Sequence, residues 1–226
     1  MQQMLLIGEA SRTDAFLTRL GTTVANWQIH RSDSPVGHKT DAYAFVVDLD
    51  FDQHPERIAF YSKGANALYL LHSLRIQLAA VLAGVGAGAH HARFAGINAL
   101  PGCLDAERWE MSALDGQNNH VIELLRNQFG VQPELVADRV GMVTPRVIAM
   151  IINEAYYTVQ EGTASKEAID LGMKLGTNYP AGPFEWLQRW GIVEVYHLLD
   201  ALWLDTREER YKICPLLKTE YLKLQA

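Results

Sequence analysis

Cysteine is nearly absent from this chain, with two in 226 residues. Cys103 and Cys214 stand more than a hundred positions apart, with no CxxC and no His/Cys spacing near either, which excludes a disulfide framework and a zinc site of ordinary spacing. Two free, reduced thiols are expected. Long apolar runs are missing as well: no window approaches about 18 consecutive apolar residues, so nothing reads as a membrane span. The opening MQQMLLIGEASRTD has no basic stretch and only a short apolar run before Glu9, which does not read as a signal peptide. Basic residues are in deficit, 20 Lys and Arg against 26 Asp and Glu for a net charge of −6, and they form no stripe. Nucleic-acid and anionic-membrane surfaces are thereby excluded. A cytoplasmic protein with a small-molecule or protein partner is expected.

What is present is core material, 49% hydrophobic residues, enough for one large domain or two modest ones. The first half alternates strand and helix. Strands are expected at Met4–Ile7, Thr22–Ile29, Ala42–Val47 and Ala67–Leu71, with helices at Thr13–Leu20 and Pro55–Gly64 and a polar loop at Ser32–Lys39. AYAFVV is a continuous apolar run ending at Asp48, the form of a strand covered on both faces in a parallel sheet. After Phe94–Ile97, the segments Trp109–Leu114, Asn118–Phe129 and Glu134–Ala137 read as strand, helix and strand. This alternation predicts a doubly wound α/β layer.

From Val143 the period becomes helical. One helix is expected from Pro145 to a C-cap at Gly162, a second from a Ser165 cap to Gly176, and further ones in GPFEWLQRWG and IVEVYHLLDALWLDT. The boundary is expected near Asp138 to Gly141. GVGAGA, 84–89, lacks the GK[ST] ending of a phosphate loop and is read as a connection; the adjacent His90 and His91 cannot share a face, and no metal is assigned.

The segment NYPAGPFEWLQRWGIVEVYHLLDAL, 178–202, resembles the YPMGPFELxDxxGLD stretch of the 3-hydroxyacyl-CoA dehydrogenase family. EAYYTVQEGTASKEAIDLGMKLG is similar to its NEAxxLxEEGxAxxxDIDxAMxxG. The order RFAGIN, WEMSALDG, helix, strand, VGMVTPR follows the family's order. The resemblance implies a shortened Rossmann-like domain over 1–138 and, over 139–226, a helical domain of the 6-phosphogluconate/3-hydroxyacyl-CoA dehydrogenase type. It also implies NAD as cofactor, a hydroxyacyl or acyl-CoA ligand, a place in fatty-acid metabolism, and a homodimer through the helical domain.

Several residues depart from the family pattern. The family's base, a histidine oriented by a glutamate twelve positions later, falls on Asn98, with Glu110 in the glutamate's place. An amide takes up no proton at neutral pH. The family asparagine beside the substrate carbonyl falls on Pro145, next to Arg146, the substrate-binding candidate. The family serine falls on His72 or Ser73. The dinucleotide fingerprint falls on Gly8, Ala10 and Thr13, one glycine of three, with Glu9 in the turn where a phosphate would approach. The second strand ends in Ile29, His30, Arg31 without the expected acid. Three readings follow: a degenerate member that binds acyl-CoA or dimerises, an active NAD-dependent oxidoreductase that uses Glu110 with Ser73 or His72, and a helical half that serves as an interaction module for a fatty-acid enzyme complex.

Overall fold

The computed structural model describes residues 1–63, 66–86, 88–115 and 119–225. It divides into two compact units, Met1–Met142 and Val143–Ala226. The division falls between Met142 and Val143 rather than at Asp138, for a local reason. The Asp138 carboxylate accepts from the backbone N–H groups of Leu78 and Ala79 at 3.0 and 2.8 Å, and Gly141 N–H donates to the Leu74 carbonyl at 2.6 Å. Both contacts tie 138–142 to the first unit.

Among the described residues the first unit is built on seven strands: β1 (Gln2–Ile7), β2 (Trp27–Ser32), β3 (Phe45–Asp48), β4 (Leu68–His72), β5 (Phe94–Ile97), β6 (Arg108–Ala113) and β7 (Gln132–Val136). Their order is β2-β1-β3-β4-β5-β6-β7, and every neighbouring pair is parallel except β5 with β6. This is the Rossmann order without the strand outside β2. The omission follows from the short connection between Ser32 and Phe45, which holds only a 3-10 turn at Thr40–Ala42. Alternating side chains feed two cores. Met4, Leu6, Phe45, Val47, Leu70 and Ile97 meet Phe16, Trp109 and Phe129 on one face, whereas Leu5, Val46, Tyr69, Leu71 and Phe94 meet Tyr61, Leu78 and Leu82 on the other. Phe16 and Phe129 come from α1 (Ala10–Leu20) and α4 (His120–Phe129), Trp109 from β6, and the partners on the second face from α2 (Ile58–Tyr61) and α3 (Leu78–Gly84).

Local chemistry explains where elements start and stop. Asn119 caps α4 by accepting from Val121 and Ile122 N–H at 3.0 and 3.2 Å, and its own amide donates to the Phe94 carbonyl at 2.8 Å. The expected helix start at Asn118 and the expected helix end at Gly64 lie outside the described residues, as does Ala87 of GVGAGA. The strand expected at Thr22–Ile29 begins later, because α1 ends at Gly21 with φ +52 and Gly21–Val24 forms a 3-10 turn. As an edge strand with only its first residue buried, β2 had little apolar alternation to mark its limits.

The second unit is helical: α5 (Thr144–Gln160), α6 (Lys166–Thr177), α7 (Pro183–Trp190), α8 (Ile192–Thr206) and α9 (Pro215–Lys223). The last, α9, has no counterpart in the sequence reading. Asn153 fastens the segment before it to α5, with its amide donating to the Lys212 carbonyl and its oxygen accepting from Cys214 N–H, both at 2.9 Å. The AGPFEW motif has a packing reason. Asp170 caps α7 through Phe184 N–H at 2.8 Å, and a Cβ on Gly182 would collide with that carboxylate and the Asp170 backbone. Among the described residues no helix is long and apolar enough to cross a membrane.

Candidate functional site

The C-terminal ends of β3, β4 and β5 gather the polar residues of the first unit. Antiparallel pairing sets Gly96 against Ser112 and Ile97 against Met111, and the Asn98 N–H bond to the Glu110 carbonyl at 3.1 Å continues that register by one step. Asn98 and Glu110 are therefore directly opposite on one sheet face. The Asn98 side chain is 4% exposed, and its oxygen accepts from Leu100 N–H at 3.2 Å. Burial pushes the Cys103 thiol up to about 12, Asn98 opposing and Glu110 and Asp105 adding to the rise. The site thus holds an amide, which takes up no proton at neutral pH, a carboxyl group, and a thiol kept protonated by burial.

The same face carries two hydroxyls. Ser73 and Ser112 flank Gly96 so closely that a Cβ there would strike both oxygens, which is why this position is glycine. Ser112 Oγ reaches Asp138 Oδ1 at 3.4 Å, whereas Ser73 Oγ is buried with no hydrogen-bond partner among the described residues.

His72 is placed differently from Ser73. Its side chain is fully buried on the opposite sheet face. Its Nδ1 lies 3.1 Å from the Ala99 N–H and 3.2 Å from the Ile97 carbonyl oxygen, so it faces the backbone on both sides of Asn98. Nε2 lies 3.4 Å from Asp52 Oδ2, and Arg75 Nε lies 3.9 Å from the same oxygen. His72 therefore holds the loop after β5 in place and does not stand beside Asn98.

At the other side of the crevice, Gly8 (φ +142) leads into α1, and Ala10 and Thr13 line a cleft of about 310 Å³ with Arg31, Ser32 and Asp33. Arg31 is engaged by Asp14 at 2.6 Å. The turn itself is already in contact with an anion, because Glu9 N–H donates to Asp50 Oδ2 at 3.0 Å. These residues do not fit the pyrophosphate of the dinucleotide implied by the resemblance, which needs open N–H donors at that point.

Sequence reasoning missed Asp50 and Asp52. The signal was legible in VVDLDFD, where acids recur at every second position as a buried strand ends. The first of them, Asp48, is fully buried, and burial raises its carboxyl group against the Tyr61 and Arg57 bonds at 2.7 and 3.1 Å. Arg146 lies in the second unit, where its guanidinium donates to the Tyr211 hydroxyl at 3.0 Å; Pro145 occupies the first turn of α5. Among the described residues no group of three or more His, Cys, Asp or Glu is placed to hold a metal ion.

Residues 141–224 match the family model of the 3-hydroxyacyl-CoA dehydrogenase C-terminal domain. The 3-hydroxyadipyl-CoA dehydrogenase of Escherichia coli (strain K12) is 45% identical over 87 residues, 38% of this chain and 18% of that protein. A probable 3-hydroxybutyryl-CoA dehydrogenase of Bacillus subtilis (strain 168) is 37% identical over 114 residues, 50% of this chain and 37% of that one. The chain thus spans well under half the length of these curated relatives. The crystal structure of (S)-3-hydroxybutyryl-CoA dehydrogenase from Ralstonia eutropha superposes with a TM-score of 0.75 over 99% of this chain and 94% of that one, a likeness of fold at 19% identity. Residues 141–224 thus belong to the 3-hydroxyacyl-CoA dehydrogenase C-terminal domain family, and the chain as a whole shares the fold of that dehydrogenase structure.

Proposed function

We propose that this chain is a degenerate member of its family that has given up the dehydrogenase step and serves acyl-CoA metabolism by binding an acyl-CoA or by dimerising. The observation that carries this reading is Asn98 opposite Glu110: the position paired with the carboxyl group holds an amide whose oxygen is already engaged by Leu100 N–H. Without a base, the hydroxyl proton has no acceptor as hydride leaves. A homodimer through the helical unit is supported by an apolar groove of about 540 Å³ lined by Val147, Met150, Ile151, Ile169 and Met173, and by Leu171 and Leu175 of α6, 56% and 78% exposed. The proposed site of action is the cytoplasm.

The test is hydride transfer with 3-hydroxybutyryl-CoA and NAD, or its keto form and NADH, across acyl chain lengths and pH. A flat nicotinamide absorbance is expected, together with a thermal shift by acyl-CoA or a dimer in light scattering. Turnover would overturn the reading. A second reading, an active NAD-dependent oxidoreductase acting on a 3-hydroxyacyl-CoA or related hydroxy acid, draws support from Ser73. Its buried, unpartnered hydroxyl shares the Glu110 face. His72 gives that reading no support, since both ring nitrogens face protein groups.

A further inference from the structure

We infer that Asp50 occupies, from within the chain, the place where a doubly wound sheet receives a dinucleotide's pyrophosphate, and so closes the first unit to NAD and other dinucleotides. In such sheets the ligand crevice lies where the winding reverses, at the carboxyl ends of the strands on either side, and the phosphates meet the N-terminus of the first helix. Here the reversal is at β1, between β2 and β3, and the helix is α1.

Four observations place a carboxylate at that point. Glu9, the residue before α1, offers no side-chain cap, and its N–H donates instead to Asp50 Oδ2 at 3.0 Å, across 41 positions of sequence. The same oxygen lies 3.4 Å from where a Cβ on Gly8 would stand, so it sits against the one surviving glycine of the turn. Arg12, in the first turn of α1 and 7% exposed, directs Nη1 to the Leu49 carbonyl at 2.9 Å and to Asp50 Oδ1 at 3.4 Å. The Asp50 backbone is held in turn, its N–H donating to Asp48 Oδ1 at 3.1 Å. The positive end of the α1 dipole and the Arg12 guanidinium, the two features that would attract a phosphate, are thus both engaged by one internal carboxylate. A diphosphate arriving there would meet a like charge and no unclaimed Glu9 N–H. Asp33, on the wall of the neighbouring cleft, adds a second acid on the approach.

This inference stands apart from the missing base at Asn98, and the two fail separately. Dinucleotide binding without turnover would overturn this inference alone, whereas turnover would overturn the proposed function.

The experiment is isothermal calorimetry of the full chain with inorganic pyrophosphate, ADP and NADH, comparing wild type with Asp50→Ala, Asp50→Asn and Asp14→Asn. Wild type is expected to bind none of the three measurably. Asp50→Ala exposes the Glu9 N–H and leaves Arg12 without its carboxylate, so its affinity for pyrophosphate and ADP is expected to rise by about tenfold or more. Asp50→Asn keeps the shape without the charge and decides the question if the alanine variant does not fold. Asp14→Asn removes an exposed acid that contacts Arg31 and not the turn, and is expected to change little. Tight NADH binding by wild type, a folded Asp50 variant that binds no better than wild type, or an equal gain from Asp14→Asn would each overturn the inference.

Discussion

Asn98 and Glu110 face one another across the antiparallel junction of β5 and β6, with the Asn98 N–H donating to the Glu110 carbonyl at 3.1 Å. A twelve-residue separation in sequence becomes a cross-strand pair because the chain between them turns back through a loop at 98–107. That loop is held from beneath by His72 and from above by the Asn98 side chain. Removing the Asn98 side chain should therefore loosen the loop as well as empty the seat. Asn98→Ala leaves Leu100 N–H without its acceptor and is expected to cost about 1–3 kcal/mol, read as a lower urea midpoint at unchanged slope.

His72 and Asp52 are both buried, with side chains 0% and 1% exposed and Nε2 3.4 Å from Oδ2. Taking away either side chain removes this buried polar contact, so His72→Ala and Asp52→Ala are each expected to destabilise by about 1–3 kcal/mol. The double variant should cost clearly less than the sum in a double-mutant cycle. Strict additivity would show that the two side chains are not coupled.

Gly96 lies between the Ser73 and Ser112 hydroxyls, and an added Cβ would collide with both. Gly96→Ala is expected to destabilise by about 1–3 kcal/mol through overpacking. Adding Ser73→Ala, which removes one of the two oxygens, should recover part of that loss in thermal melts.

The Cys103 thiol, held near 12 by burial, should be almost unreactive at pH 8. Alkylation by iodoacetamide, followed by mass spectrometry, is expected on the order of a thousandfold slower than for a thiol of ordinary pKa, rising with pH toward 12. The linkage has a definite sign. A raised folded pKa contributes stability below the ordinary thiol value, and that contribution is lost as pH climbs through about 12. Fast labelling at neutral pH would contradict the burial of this group.

In the helical unit, burial alone would raise the Glu220 pKa, but the Tyr156 hydroxyl at 2.6 Å and Lys166 at 2.9 Å hold it below its ordinary 4.5. A lowered carboxyl pKa contributes stability that is present above 4.5 and lost as pH falls through the folded value. Glu220→Gln is expected to flatten the decline of melting temperature over that acid window and to leave its slope near pH 7 unchanged.

Much of the architecture was legible because it rests on short-range pattern. The run AYAFVV could be satisfied only by a strand covered on both faces, and β3 is fully buried between β1 and β4. The Ser165 cap and the apolar spacing of α5 likewise act within a turn or two. Where a signal was weak or its partner distant, the reading failed: edge strand β2 began five residues later than expected, and α9 went unseen.

The sequence by itself determined the resemblance to the family and the two-part layout, and it put an amide, Asn98, at the position on which the proposed loss of the base rests. Those conclusions depend on residue identity at matched positions. Only the tertiary structure decided that Asp50 reaches back across 41 residues to the turn before α1, and that His72 turns away from Ser73 toward Asp52. The acids of VVDLDFD are visible in the sequence but their partners are not, since the parallel packing of β1, β3 and β4 is what brings the ends of three distant strands together.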